Sequence, residues 1–259
     1  NKKNPMNLNF LNFQKNLNSV LEITFEGNKN LISNEVSFNK VLIKEDSNRF
    51  EFKNLKLSED RKIKSINKIE LNYLDKDLIK NKISISKKDK DYDLFSQSLN
   101  ATKLIDDLLN PKKKSNEREI FHNNFKLNIK INKTYLNDSH TINDLDGYLS
   151  FDNNEIIEAN LDASFSKNEK IRFTIRSTSH EKITTLYSDV AKPFVSRYKF
   201  IKGFEEGNLN FQSVKKDDIS NSRLIIDNFK VQEVPVLAKL LTLASLQGIA
   251  DLLTGEGIR

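Results

Sequence analysis

The residue types that carry chemistry are few in this chain and widely scattered. Its three histidines, His122, His140 and His180, stand far apart and in no metal-ligand spacing, so each is expected at a surface or strand edge. The chain has no cysteine, which removes disulfides and thiolate chemistry and leaves the compartment open. No Gly-x-Ser-x-Gly elbow and no phosphate-cradling glycine loop occurs. Gly255-Glu256-Gly257 is too short for a dinucleotide fingerprint and follows a helical pattern instead of a strand. The acidic pairs Asp106-Asp107 and Asp217-Asp218 could in principle do acid–base work. Adjacent carboxylates in a strand or loop point to different sides, so solvated turns are expected there. Asn100-Ala101-Thr102, Asn132-Lys133-Thr134 and Asn137-Asp138-Ser139 match the glycan acceptor pattern, as chance predicts in so asparagine-rich a chain. No catalytic residue, metal site or cofactor is read from this inventory, and the chain is not expected to be an enzyme.

Charge adds little. Lys and Arg number 42 against 36 Asp and Glu, a net +6 spread along the chain. A single-stranded nucleic-acid platform needs aromatic and basic residues on one face. The phenylalanines here alternate with Asn, Lys, Glu and Thr, which puts them on the face opposite the charges, so nucleic-acid binding is not expected. The start at Asn1-Lys2-Lys3 and the stop at Gly257-Ile258-Arg259 both read as cut, and a segment of a longer protein is expected.

The elements that hold these residues are mostly strands. Leu21, Ile23 and Phe25 alternate with Glu22, Thr24 and Glu26. Val36 and Phe38, Phe50 and Phe52, Ile69, Leu71 and Tyr73, and Ile83 and Ile85 repeat the device. Strict alternation predicts one buried and one wet face. Gly27-Asn28, Asp46-Ser47-Asn48, Glu59-Asp60, Asp75-Lys76-Asp77 and Lys87-Lys88-Asp89 mark turns. After a break the pattern resumes: Phe125, Leu127, Ile129 and Ile131; Leu149 and Phe151; Leu161, Ala163 and Phe165; Ile171, Phe173 and Ile175; Leu209 and Phe211; Leu224 and Ile226. Short connections predict antiparallel neighbours. The expected fold is mainly β, a long curved antiparallel sheet with one apolar face and about three helices. The alternation is equally compatible with a closed barrel or sandwich core and with an open apolar trough.

The three helices are placed as follows. A short one near Thr102 to Leu109 is capped by Asn100 and ended by Asn110-Pro111. The polar loop after it, Pro111-Lys112-Lys113-Lys114-Ser115-Asn116, supplies the best boundary, dividing the chain into 1–110 and 111–259. A second helix is read over Glu181 to Phe194, with Ile183, Leu186, Tyr187 and Val190 on one side. The third runs from Pro235 to Leu253, where twelve of nineteen residues are apolar and only Lys239 and Asp251 are charged. Pro235 suits its first position and Gly255 or Gly257 its end. Packing against the sheet, lying at a membrane surface and spanning a membrane are its three settings, in that order of expectation.

This last stretch also carries a resemblance. From Ile225-Ile226-Asp227-Asn228-Phe229-Lys230-Val231 through Pro235, Leu237, Leu240, Leu241, Ala244-Ser245-Leu246, Gly248, Leu252, Gly255 and Gly257, it resembles the AsmA-like C-terminal region family of YhdP/TamB-type bridge-like lipid transport proteins. The family pattern there is P-x-LA-x-LL-x-x-ASL-x-G-x-x-DLL-x-G-x-G-I. Thr185 to Val190 and Phe200 to Leu209 resemble the family's short helix and glycine turn, with Gly207 at the second turn glycine. The resemblance is close over Asp144 to Ile258, looser over Tyr92 to Leu109, and confined to strand pattern before that.

The resemblance implies a non-catalytic β-groove segment in the periplasm of a diderm bacterium, held to the inner membrane by an N-terminal anchor outside this chain. It implies phospholipids, bound by their acyl chains, as cargo moving between inner and outer membranes, with an outer-membrane or other envelope protein as a further partner. The groove is expected to be lined by Phe125, Leu127, Ile129, Ile131, Ile171, Phe173, Ile175, Leu209, Phe211, Leu224 and Ile226. The alternative is a structural envelope scaffold or assembly factor whose sheet is filled by its own side chains. The final helix is expected to pack on the apolar face and narrow the trough.

Overall fold

A computed structural model describes residues 7–109, 124–152, 155–195, 204–217 and 219–231. The expectations for the Pro111–Asn116 loop, for His122 and for the Pro235–Gly257 helix lie outside those residues.

The fold is mainly β. A small sheet of β1 (Asn7–Leu8) and β2 (Phe13–Gln14) flanks a 3-10 turn at Asn9–Leu11. Then come β3 (Glu22–Lys29), β4 (Val36–Glu45), β5 (Asn48–Leu57), β6 (Ile63–Ser65), β7 (Lys68–Leu74), β8 (Lys80–Lys88) and β9 (Asp91–Asn100). The helix α1 (Thr102–Leu109) precedes β10 (Phe125–Asn137), β11 (His140–Asp152), β12 (Glu155–Ser164), β13 (Lys170–Ser177) and β14 (Lys182–Ser188). The helix α2 (Lys192–Val195) precedes β15 (Phe204–Lys216) and β16 (Ile219–Val231).

Strands β3 to β16 form one sheet of 14 strands, paired almost in sequence order, with β6 on β5 and β5 passing directly to β7. The sheet is not closed: β3 and β16 are its two edges. The alternating runs named above lie in strands, with only Leu21 and Phe165 just outside β3 and β12, because each places its apolar set on one face of the pleat.

Two expectations are corrected. The sheet is mixed, because β9 and β10 run parallel, with Leu94 beside Ile129 and Tyr92 beside Leu127. A parallel neighbour needs a crossover from one end of the strands to the other, and α1 lies on that connection. The helix over Glu181–Phe194 is instead strand β14 followed by the four-residue α2. Ile183, Leu186, Tyr187 and Val190 match a helical spacing. Yet Ile183, Thr184 and Thr185 are β-branched, and this segment has ladder partners on both sides, β13 and β15. Helix begins only at Lys192-Pro193, where proline is tolerated in a first turn. The described residues hold two short α-helices, α1 and α2, neither of them long or apolar enough to cross a membrane, and the third expected helix lies outside them. The expected cap of α1 is present: the Asn100 side-chain oxygen accepts the Thr102 N–H at 3.0 Å.

Candidate functional site: the apolar face of the sheet

The register places one residue per strand in an unbroken cross-strand row on the apolar face. It runs Phe25, Val41, Phe52, Ile69, Ile85, Leu94 and Ile129. It continues through Gly147, Leu161, Phe173, Leu186, Phe211 and Leu224. Every member is apolar except the glycine. At about 4.8 Å between strands, the row extends roughly 58 Å along the sheet. The next row faces the other way and is mostly polar: Glu51, Glu70, Ser84, Lys130, Asp146, Asp162, Arg172 and Asn210 all fall in it. There Arg172 Nε donates to Asp162 Oδ1 at 2.6 Å. Glu51 is ringed by Arg49, Lys40 and Lys53. The hydrogen bond from Arg49 and these three cations outweigh burial and hold its carboxyl below the usual carboxylate range. Opposite faces of one pleat therefore differ sharply in polarity, as the alternation predicts.

The apolar face is covered unevenly. At one end of the strands, called here the capped end, three separate segments lie on it. Phe13 of β2 packs edge-on against Phe50 and Tyr73, with ring centroids 4.9 and 5.9 Å apart, and Leu8 and Leu11 join that cluster. Ile105 of α1 packs on Leu136, Ile142, Ala163 and Ile171. Phe194 beside α2's buried Val195 reaches the same group and the cluster of Ala191, Phe204 and Leu209. Towards the middle and the other, free end, the apolar side chains are only half-buried: Phe52, Ile69, Ile85, Leu94, Leu127, Phe125, Leu149, Phe151, Leu161, Phe173 and Phe211. Half-buried aromatics line that free end, Tyr92 against Phe125 at 5.4 Å and Phe125 stacked on Phe151 at 4.8 Å. Burial holds the Tyr92 hydroxyl above its ordinary pKa, although its bond to the Ile66 backbone opposes this.

The expected lining residues thus divide. Ile129, Ile131, Ile171, Ile175 and Leu209 are buried in the sheet's own packing. Phe125, Leu127, Phe173, Phe211 and Ile226 are half-buried, and Leu224, on the edge strand, is 40% exposed. All eleven share the apolar face of the one sheet.

A search of protein-family models, curated proteins and solved structures finds no match to this chain.

Polar networks fix the capping segments. Asp75 is buried at the β7–β8 turn and accepts from Asn81 Nδ2 at 3.0 Å and Asn100 Nδ2 at 2.8 Å. Asp77 accepts from Asn100 Nδ2 at 2.9 Å and Asn12 Nδ2 at 2.7 Å, and the Lys76 N–H donates to the Asn12 carbonyl. One network therefore ties the turn at Asn12, the β7–β8 turn and the cap of α1 together. A second centres on buried Glu45, which accepts from Asn48 Nδ2, the Asn16 N–H and the Ser19 hydroxyl. Sequence reasoning read Asp75-Lys76-Asp77 as a turn and Asn100 as a cap, but missed that they bond each other. The signal was present as Asn and Asp at strand ends, where such side chains satisfy backbone groups. Phe13 was missed as well, since it stands outside any alternating run. Among the described residues no group of three or more His, Cys, Asp or Glu side chains is arranged to hold a metal.

Proposed function

We propose that the apolar face serves as an open groove that shelters acyl chains, and that this chain is a non-catalytic segment of a protein conducting phospholipids between the membranes of a bacterial envelope. On this reading it works in the periplasm, anchored in the inner membrane. The observation that carries the reading is the row from Phe25 to Leu224: apolar side chains and one glycine on successive strands, half-buried over most of its length, bordered at one end by Phe13, α1 and α2. The resemblance around Pro235–Gly257 agrees with it. The driving force is apolar burial, about 0.8 kcal/mol for each methylene moved out of water. No single side chain need select the lipid, because contact is spread along the face.

The filled clusters at the capped end favour a second reading, a scaffold whose sheet is packed by its own residues. The two readings differ over the half-buried middle of the face. Protein purified without detergent is expected to carry phospholipid in native mass spectra, and Leu127→Asn with Phe173→Asn is expected to lose it while keeping a wild-type circular dichroism spectrum. Lipid-free wild-type protein that fails to take up phospholipid from vesicles would leave the scaffold reading in place.

A further inference from the structure

The sheet's ladder is irregular across β3, β4 and β5 near the free end. The β3–β4 register shifts between Glu26 and Gly27. Beside it the β4–β5 pairing skips Asn39 and Asn54, and Asn54 adopts a left-handed backbone with φ of 50°. A cleft of about 410 Å³ lies here, bounded by residues of β4, β5, β6, the Asn67 turn and the end of β8. Its chemistry is one-sided. Lys56 and Lys87 line it, and neither is in an ion pair among the described residues. The side chains of Asn54, Asn67 and Ser65 also line it, and none of them makes a hydrogen bond among the described residues. The nearest carboxylate placed by a bond to a lining residue is Glu26, which Asn39 Nδ2 holds at 3.2 Å. Phe38 forms the apolar wall, and its ring also packs edge-on against Phe25 of the apolar row, 5.9 Å between centroids.

We infer that this cleft binds a phosphate group, as a phospholipid headgroup or as a free phosphate. Two unpaired ammonium groups supply charge-assisted donors, and two amides and a hydroxyl supply neutral ones, a set rich in donors such as a phosphodiester requires. The volume is within the range of small-molecule sites and exceeds that of a phosphate alone. Phe38, packed against Phe25 of the apolar row, leads from the cleft towards the face proposed to take acyl chains. The inference deepens the groove reading by giving the headgroup a seat at the rim, and its lipid form rests on that reading.

The test uses the whole chain and three probes: dihexanoyl phosphatidylglycerol below its micelle concentration, dihexanoylglycerol, and inorganic phosphate, each titrated by calorimetry. Lys56→Gln with Lys87→Gln removes the charges at exposed positions, and Phe25→Asn with Val41→Asn removes apolar contact on the face beside Phe38. The lysine variant is expected to weaken the phospholipid by about tenfold or more, and to leave dihexanoylglycerol unchanged. Lysine-dependent binding of inorganic phosphate equal to that of the phospholipid would identify free phosphate as the ligand. In that case the site stands and the groove reading loses its support. Phospholipid binding lost in the apolar variant but unchanged in the lysine variant would overturn the site and leave the groove. Binding of dihexanoylglycerol as tight as that of the phospholipid would overturn the site too.

Discussion

Gly147→Ala is expected to be among the most damaging single-methyl changes in this protein. Gly147 is the one non-apolar member of the row, on β11 between Ile129 and Leu161. Its φ is +143°, and a Cβ built there would lie 1.9 Å from the Asn160 carbonyl oxygen, 2.9 Å from the Asn160 carbonyl carbon and 3.1 Å from the Leu161 Cα. All three are backbone atoms of β12, so no side chain can swing away. Ordinary contact requires β11 and β12 to part locally by roughly 1.5 Å, in an interior packed too tightly to absorb it. Such a shift stretches a ladder hydrogen bond beyond its useful length. One or two unsatisfied buried backbone groups cost about 1–3 kcal/mol each, and the unfavourable φ adds about 1–2 kcal/mol. The total is about 4 kcal/mol, equivalent to a fall in melting temperature on the order of 10 °C for a domain of this size. Thermal unfolding followed by circular dichroism measures it. Because the lesion lies mid-row, vesicle-derived lipid loading is expected to fall in parallel. A Gly147→Ala protein melting within about 1 °C of wild type would refute the close approach of β11 and β12 on which the argument rests.

Three further outcomes follow from the packing and the charges. Phe13→Ala removes the ring lying between Phe50 and Tyr73. It is expected to cost about 3–4 kcal/mol in urea unfolding and to raise the binding of a hydrophobic dye, as the capped end is laid open. Unchanged dye binding would mean that β1 and β2 are not a cover. Burial, reinforced by Asp75, holds the Tyr73 hydroxyl far above its ordinary pKa. Since the unfolded chain ionises first, this contribution is full below pH about 10 and is lost as pH rises beyond it. Wild type should therefore lose stability above pH about 10 more steeply than Tyr73→Phe, and parallel curves would contradict the assignment. Glu51 has the opposite sign: its depressed folded pKa gives stability that is present above the unfolded value of about 4.3 and lost as pH falls through the folded one. Glu51→Gln should flatten the acid limb of a stability–pH curve, and an unaltered limb would place acid sensitivity elsewhere.

Within each regular run, sequence alone determined which face a strand residue occupies. A side-chain period of two admits no other assignment once one face is apolar, so Phe125-Leu127-Ile129-Ile131 and Ile171-Phe173-Ile175 fall on the common face, with lysines and arginines opposite. It also determined the Asn100 cap, because that interaction spans only two residues. Long-range geometry decided the rest. Alternation does not say which strand lies beside which, so the parallel β9–β10 pair and the open edges at β3 and β16 were not legible. For Lys182–Ser188, a seven-residue apolar pattern fits either period, and the ladder partners on both sides settled it as strand. Nothing local marks Phe13 as the ring that lies on Phe50 and Tyr73, nor Gly147 as the point where β12 comes too close for a Cβ. Both depend on contacts between residues far apart in the chain, which exist only after the sheet is assembled.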